Sequence, residues 1–447
     1  MSNADNGATG WRPDTSFWQL SGGLVLVTVV FAAIPAGFNW QPVGLSDGES
    51  TNQLLRRVQW LPVWALAGWM MLRRRALLVP LLIKVNPFLV GFCLWAAASL
   101  SWAEVPSGTV NRLAQLVGSI MICVAFCVAS WGRYRLERLT LTALTGLLVV
   151  SLIMVFALPR YAVHNDPTLR GLWAGVMSSK NELGIVFSLG LMFGTFAWLT
   201  GLISQRYFGG LLALVAVISV GASSTTATIT GVMAATIVWL SIRPPVDPAG
   251  NALALVLFAV LLIGLPYLAA TLLSGPPTVV DILGPVTEAL GKDISLTGRD
   301  DIWSRVLIEA REHPVIGGGY GAFWLGPGGP SDWIHQELYW IPYQAHNGYI
   351  DIFNELGFVG LGLVVGFVLW HLKQIGQLWW IDRPTAAVHL ALLIYTLVSN
   401  ITESTLFRPL TLPCTLILFS SLTLSRTQLQ QHFDRARPVS APQAVAS

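Results

Sequence analysis

Twelve runs of mostly apolar residues constrain this chain more than any other feature. They lie near 17–38, 58–72, 86–102, 113–131, 138–158, 183–203, 209–222, 227–242, 252–274, 347–371, 385–401 and 409–424. A bilayer core takes about 20 apolar residues per helix. The runs at 58–72, 209–222 and 227–242 are short for that. The stretch 76–83 reads as an interfacial piece, because Lys84 and Asn86-Pro87 interrupt it. Only 11% of the 447 residues are charged and 54% are hydrophobic, whereas soluble domains carry about 25% charge. Water cannot be the solvent for most of this surface. The expected fold class is an all-α polytopic membrane protein of about twelve transmembrane helices, forming one membrane-embedded domain over residues 1–447.

Several classes drop out. Basic and acidic residues nearly balance, 26 against 23, so no nucleic acid partner is expected. Cys93, Cys123, Cys127 and Cys414 all sit in apolar runs without CxxC spacing, which reads as buried free thiols rather than a disulfide framework or zinc site. The first 16 residues are polar and lack a signal-peptide pattern, so the first run is expected to be a retained helix. The 19 tryptophans suit interfacial anchoring.

An even number of spans puts both termini on one side. Arg73-Arg74-Arg75, Arg133, Arg135, Arg138, Arg206, Arg243, Lys373, Arg383 and the tail arginines Arg426, Arg435 and Arg437 fall on alternate loops with the N-terminus. The positive-inside rule makes that side cytoplasmic. Arg56, Arg57, Arg112, Arg160, Arg170, Lys180, Lys292, Arg299, Arg305, Arg311 and Arg408 are left outside. An anionic ligand on that face is one reason for them. Tolerance of charge in long translocated loops is the plainer one.

The large outer loop, 275–345 between the ninth and tenth runs, has its own pattern. Thr297 can cap a helix over 300–312, with Asp300 near its positive end. Ile302, Trp303, Val306, Leu307 and Ile308-Glu309-Ala310 form its apolar stripe, and His313-Pro314 stops it. Gly317-Gly-Gly-Tyr-Gly321 follows a helix rather than a strand, so it is no dinucleotide fingerprint; its glycines are expected to let backbone approach membrane helices or ligand. A Gly/Pro-rich turn at 326–330 and the aromatics Trp333, Tyr339, Trp340 and Tyr343 lead to His346-Asn347-Gly348 at the mouth of the tenth run.

Three further stretches span roughly residues 100–360. The first is Leu100-Ser-Trp-Ala-Glu-Val-Pro106 with Asn111-Arg112. The second is Arg170-Gly-Leu-Trp173 with Ser179-Lys180-Asn181-Glu182-Leu183-Gly184. The third is Leu296-Thr-Gly-Arg299 with Trp303, then Pro314, Gly317, Gly319 and Gly321, then His346-Asn347-Gly348-Tyr349 with Glu355, Gly357 and Gly360. Together they resemble the O-antigen ligase and Wzy-type polymerase superfamily, particularly its ExoQ-like members. The family's Ser-rich turn with a basic residue corresponds to Ala222-Ser-Ser-Thr-Thr-Ala227, which has no cation. If that cation normally holds diphosphate, another residue must substitute, and Lys180, Arg170 or Arg112 could do so; the alternative is that this chain handles its substrate differently from the lipopolysaccharide ligases.

The resemblance implies a metal-independent glycosyltransferase without nucleotide or other cofactor. A polyprenyl-diphosphate-linked oligosaccharide would be the donor, and a glycan or lipid A–core hydroxyl the acceptor. It implies a bacterial inner membrane location, a periplasmic active site, and other polysaccharide export proteins as partners. A leaving diphosphate needs fixed positive charge, and arginine supplies a bidentate fork. The acceptor hydroxyl needs a base, for which histidine is the default. Arg299 is therefore assigned to diphosphate binding and His346 to the general base or to orienting the acceptor. Arg170, Lys180 and Arg112 are further phosphate cations, and Asn347, Tyr349 and Glu182 complete the candidate substrate site. Glu182, Asp300 and Glu355 could orient these groups. Plainer readings compete: Arg299 pairing with Asp300 or Asp301, His346 capping the tenth helix, Lys180-Asn181 as a snorkelling helix start, Ser223–Thr226 as a polar turn, and Glu403 with Arg408 as a structural pair. Among functions, polymerisation of exopolysaccharide or O-antigen repeat units leads and ligation to lipid A–core follows. A transporter or flippase comes last, since residues 1–220 and 221–447 show no matching repeat.

Overall fold

The computed structural model describes residues 15–34, 53–129, 132–166, 169–242, 299–338 and 342–435. The run at 252–274, with Arg243, Lys292, Thr297, Tyr339, Trp340 and Arg437, lies outside them. Among the described residues there is no β-strand, only an isolated bridge between Val163 and Trp173. The helices are α1 Thr15–Ala33, α2 Gln53–Arg73, α3 Arg75–Ile83, α4 Pro87–Ala98, α5 Pro106–Ala129, α6 Arg135–Ala157, α7 Pro159–Ala162, α8 Lys180–Leu199, α9 Gln205–Ala222 and α10 Thr225–Ile242. After them come α11 Arg299–Ala310, α12 Asp332–Leu338, α13 Gly348–Trp379, α14 Arg383–Ser399 and α15 Leu412–Arg435.

Every apolar run inside the described residues is thus helical. Seven of these helices (α1, α5, α6, α8, α9, α10 and α13) are long and apolar enough to cross a membrane, or up to eight if α3 and α4 count as one bent span. Those two meet at 96°. Asn86 makes the bend: its side chain caps α4 at Phe88 N, with Pro87 behind it, while its Nδ2 donates to Phe367 O of α13 at 3.0 Å.

Polar caps place the remaining starts. Ser179 accepts from Glu182 N at α8, Ser204 from Tyr207 N at α9, and Asp382 from Thr385 N at α14. Each satisfies an amide that the helix itself leaves open. Small residues bring the central helices close: a Cβ on Gly231 of α10 would stand 2.8 Å from the Ser188 Cα of α8. This is how membrane helices gain packing where lipid offers no hydrophobic drive.

Loops alternate between two ends of the bundle. At one end Arg133 holds Asp382 with two hydrogen bonds of 2.9 and 3.0 Å, Arg383 donates to Ser241 O, Arg135 donates to Trp18 O, and Arg74 lies over Phe17. At the other end the three motif stretches converge. Tyr320 donates to Phe407 O at 2.6 Å and its amide to Ser99 Oγ, while the Trp102 indole donates to Gly317 O.

The glycine loop packs into a break in α13. Gly357 has φ of 63°, and Gly317 one of 71°. Gly318 N and Gly319 N donate to Asn354 O and Glu355 O, and Phe358 N and Val359 N donate to Pro314 O and Val315 O. These bonds replace those the break removes from the helix. A Cβ at Gly357 would lie 2.3 Å from Val315 O, so no larger residue fits. The expectation that these glycines permit close backbone approach holds. The stripe on α11 also holds at Ile302, Trp303, Val306, Leu307 and Ala310, all buried. Ile308 does not follow: it is 59% exposed, on the opposite face. The helix ends at Ala310, before His313-Pro314 is reached.

Gly357→Ala should combine a forbidden φ with a backbone clash and cost about 2–4 kcal/mol. A fluorescence thermal-unfolding scan of the detergent-solubilised variant should show a large fall in melting temperature. Gly362→Ala on the same helix meets nothing within 4 Å, and should melt like the parent.

Candidate active site

The loop between α14 and α15 presents Glu403, and four side chains from three other segments close on it. Arg299 Nη2, at the start of α11, donates to Oε1 at 3.0 Å. Asn181 Nδ2, in the first turn of α8, donates to the same oxygen at 3.0 Å. His346 Nδ1 lies 3.0 Å from Oε2, and Gln344 Nε2 donates to that oxygen at 3.3 Å. The side chains are mostly buried yet reach solvent, with Arg299 17%, Glu403 18% and His346 26% exposed.

The electrostatics follow from these partners. Burial alone pushes the Glu403 carboxyl up. The hydrogen bond from His346, the positive charge of Arg299 and the Asn181 amide more than offset it and hold Glu403 below its ordinary value. An ionised carboxylate can only accept. The His346 proton therefore sits on Nδ1, and the other ring nitrogen, Nε2, is the one left with a free lone pair.

The local chain explains why His346 stands there. Its φ is +52°, an uncommon backbone conformation for a non-glycine residue. The next residue, Asn347, caps α13 by accepting from Tyr349 N at 3.0 Å and Ile350 N at 3.2 Å. Capping thus falls to Asn347, and the imidazole is left to Glu403. Asp351, buried, accepts from Ala345 N and from the Trp324 indole at 2.7 Å; Ala345 O in turn accepts from the Trp303 indole at 2.7 Å. Those bonds fix α11, which carries Arg299, against the strand of chain that carries His346. Asn400 shapes the Glu403 loop: Oδ1 accepts from Thr405 N and Leu406 N, and its carbonyl accepts from Gly348 N.

Arg299 and His346 are thus brought together by one carboxylate: Arg299 pairs with Glu403, while Asp301 pairs with Arg305. The other sequence candidates disperse. Arg170 is exposed. Lys180 opens α8 with its amide 3.3 Å from His164 Nε2. Glu182 turns back to Ser178 N and Ser178 Oγ. Tyr349 Oη donates to Leu397 O at 2.8 Å. Asp300 is exposed, and Glu355 is buried in α13 beside the glycine loop. Ser223, with φ of 49°, makes a tight turn from α9 into α10. Arg112 instead lines a cavity of about 910 Å³ together with Arg408, Tyr343, Trp324 and Trp64. Arg408 joins that cavity to the cluster, since Nη1 donates to Gln344 Oε1 and Nη2 to Tyr343 O, both at 3.1 Å. Among the described residues no group of three His, Cys, Asp or Glu side chains is placed to hold a metal ion.

Sequence reasoning missed Glu403, Asn181, Gln344 and Arg408 as site residues. Asn181 stood inside a quoted motif and could have been found there; Glu403 carried only a nearby cation as its signal.

A helical membrane bundle with a carboxylate–histidine–arginine cluster at one end defines the class, and comparison with known proteins narrows it. Residues 208–365 match the family model described as O-antigen ligase. The exopolysaccharide production protein ExoQ of Rhizobium meliloti (strain 1021) is 26% identical over 291 residues, which covers 62% of this chain and 62% of that relative. The chain therefore spans about three-fifths of the length of the curated relative it matches. The motif resemblance to the O-antigen ligase and Wzy-type family, and to ExoQ-like members in particular, is borne out by both similarities.

Glu403→Gln and Arg299→Gln should be non-additive in stability. A double-mutant cycle by thermal unfolding should return a coupling of about 1–3 kcal/mol. Because the Glu403 value is depressed, its contribution is present above the unfolded carboxylate value, about 4.3. It is lost only as pH falls through the lower folded value. Melting curves between pH 8 and 3 should show an acid-side loss that Glu403→Gln reduces.

Proposed function

We propose that the chain is a membrane glycosyltransferase that moves a glycan from a polyprenyl diphosphate to an acceptor sugar hydroxyl, most simply to polymerise repeat units of an exopolysaccharide. The observation that carries this reading is the single carboxylate bridging Arg299 and His346. Glu403 holds the imidazole by Nδ1, which directs Nε2 toward an incoming hydroxyl, the arrangement a general base needs. The same carboxylate fixes Arg299 beside it, so that positive charge lies where a phosphate leaves. In the transfer the acceptor oxygen attacks the anomeric carbon as its proton passes to Nε2. The bond from carbon to phosphate oxygen breaks, and polyprenyl diphosphate departs with the electron pair.

The distribution of arginines supports an orientation. The end holding Arg74, Arg133, Arg135 and Arg383 would face the cytoplasm of a bacterial inner membrane, with both termini, and the cluster would face the periplasm. A twelve-span body with 275–345 as its outer loop fits that placement. ExoQ, by its name a protein of exopolysaccharide production, favours the polymerase. The family model's description favours a ligase acting on lipid A–core as the second reading.

The test is incubation of the purified, reconstituted protein with a polyprenyl-diphosphate oligosaccharide. A ladder of products supports the polymerase, a single transfer product the ligase, and no transfer overturns both. His346→Ala should fold normally and lose transfer by about 100-fold or more; normal product length in that variant would remove histidine from the base role. Arg299→Lys should lose at least about 10-fold, because a point charge cannot hold both Glu403 and a phosphate oxygen in a planar fork.

A further inference from the structure

A groove of about 640 Å³ runs between α1 and α2 on the outside of the bundle, away from the cluster. Two helical stripes make it. On α1 the wall is Ser16, Leu20, Gly23 and Val27, and on α2 it is Pro62 and Leu66. Each set repeats at three- or four-residue spacing, which is one face of a helix. Gly23 leaves the hollow open, since a Cβ there would meet nothing within 4 Å, whereas a Cβ on the buried Gly22 would press on Arg135. Leu20 and Val27 are 37% and 40% exposed, so the groove opens sideways, toward lipid.

Polar groups are confined to one end of it. Ser16 and Gln19 are the polar members of its lining, and both belong to the start of α1. The stripe on α2 continues past Leu66 to Trp69 and Arg73. Trp69 stacks on Phe17 with 5.3 Å between ring centroids, Arg73 lies over Trp69 at 5.6 Å, and Arg74 lies over Phe17 at 4.7 Å. Arg73 and Arg75 are exposed. This is the end that also holds Arg133 and Arg383, opposite Glu403.

The helix α3 marks the level of the membrane surface there. It starts at Arg75 and meets α4 at 96°. In turn α4 runs antiparallel along α13: a Cβ on Gly91 would stand 3.0 Å from Leu363, and one on Gly366 would stand 2.2 Å from Phe88. Therefore α3 lies across the bundle. Its Val79 and Ile83 are 62% and 74% exposed, as in a helix resting at the interface with its apolar side in the acyl boundary. From Phe17, at that level, to Val27 is ten residues of α1, about 15 Å. That is half of a hydrocarbon core about 30 Å thick. The groove is one leaflet deep.

We infer that this groove is the seat of an anionic phospholipid: its phosphate rests on Arg73 and Arg75, and one acyl chain fills the channel past Leu20, Gly23 and Val27. Charge, amide and apolar wall follow one another along the groove in the order they have in an amphiphile. A zwitterionic lipid fits the channel equally well but brings its own cation to the arginines, so the headgroup charge decides between the two. On the orientation proposed above, the lipid belongs to the cytoplasmic leaflet. Its binding is independent of the transfer reaction.

The experiment reconstitutes the full chain in nanodiscs with phosphatidylglycerol bearing a photoreactive group at the end of one acyl chain, and maps the labelled peptides by mass spectrometry. A parallel sample carries the same group on phosphatidylcholine at equal mole fraction. Label from phosphatidylglycerol should concentrate at 16–27 and 62–66. It should exceed that from phosphatidylcholine by about 10- to 30-fold, the effect of two basic residues near the surface. Arg73→Gln combined with Arg75→Gln should bring the anionic probe down to the level of the zwitterionic one. Gly23→Leu fills the channel without meeting a neighbour, and should reduce labelling by both probes; it keeps the test decisive if the arginine variant misfolds. Arg206→Gln, a cation elsewhere at the same end, should label as the parent does. Equal labelling by the two probes would overturn recognition of the charge. Label spread evenly over the lipid-facing helices would overturn the site. A cross-linked dimer through 16–27 that Gly23→Leu abolishes would assign the groove to a second copy of the chain and overturn the lipid.

Discussion

The end of the bundle where the motif stretches meet depends on one carboxylate. Glu403 belongs to a short loop, yet it accepts from residues of α8, α11 and the segment leading into α13. A charge with so little exposure is costly unless its partners satisfy it. Four donors do so here, and in doing so they fix the relative position of segments far apart in the chain. The geometry of the histidine and the arginine is thus a by-product of satisfying Glu403. The same economy appears around it. Asp351 serves Ala345 and Trp324 at once, and Asn400 folds the loop that presents the carboxylate.

Much of this was legible in the chain itself. Composition alone required a membrane solvent, and each apolar run within the described residues became a helix. The number of spans was less legible, because length and apolarity blur where a helix is bent or carries arginines. α2 carries Arg56 and Arg57 near its start, and α3 meets α4 at 96°. Arg299 and His346 could be named because each sits in a distinctive local pattern. Glu403 could not, since Thr402-Glu403-Ser404 is an ordinary polar loop. Only tertiary packing reveals that it faces two residues 104 and 57 positions away. It also lies beyond the 208–365 segment that matches the family model.

The cations illustrate the same limit. From the sequence, Arg112, Arg170 and Lys180 were equivalent outer-end charges. In the fold, Arg112 lines a cavity, Arg170 is exposed and Lys180 begins a helix whose next residue, Asn181, reaches the carboxylate. Charge is visible in a sequence, but the direction in which a side chain leaves the helix relative to its neighbours is set by packing. The resemblance carried residue types to positions; it could not say which of them share a hollow.

The splinted break in α13 bears on how the molecule is assembled. In lipid an opened helix turn leaves amides and carbonyls with no water to satisfy them, and here their partners come from the glycine loop that precedes the helix in the chain. Loop and span therefore mature as one unit: until the glycine loop docks, α13 has no settled shape around Gly357, and until α13 has opened there, the loop has nowhere to dock.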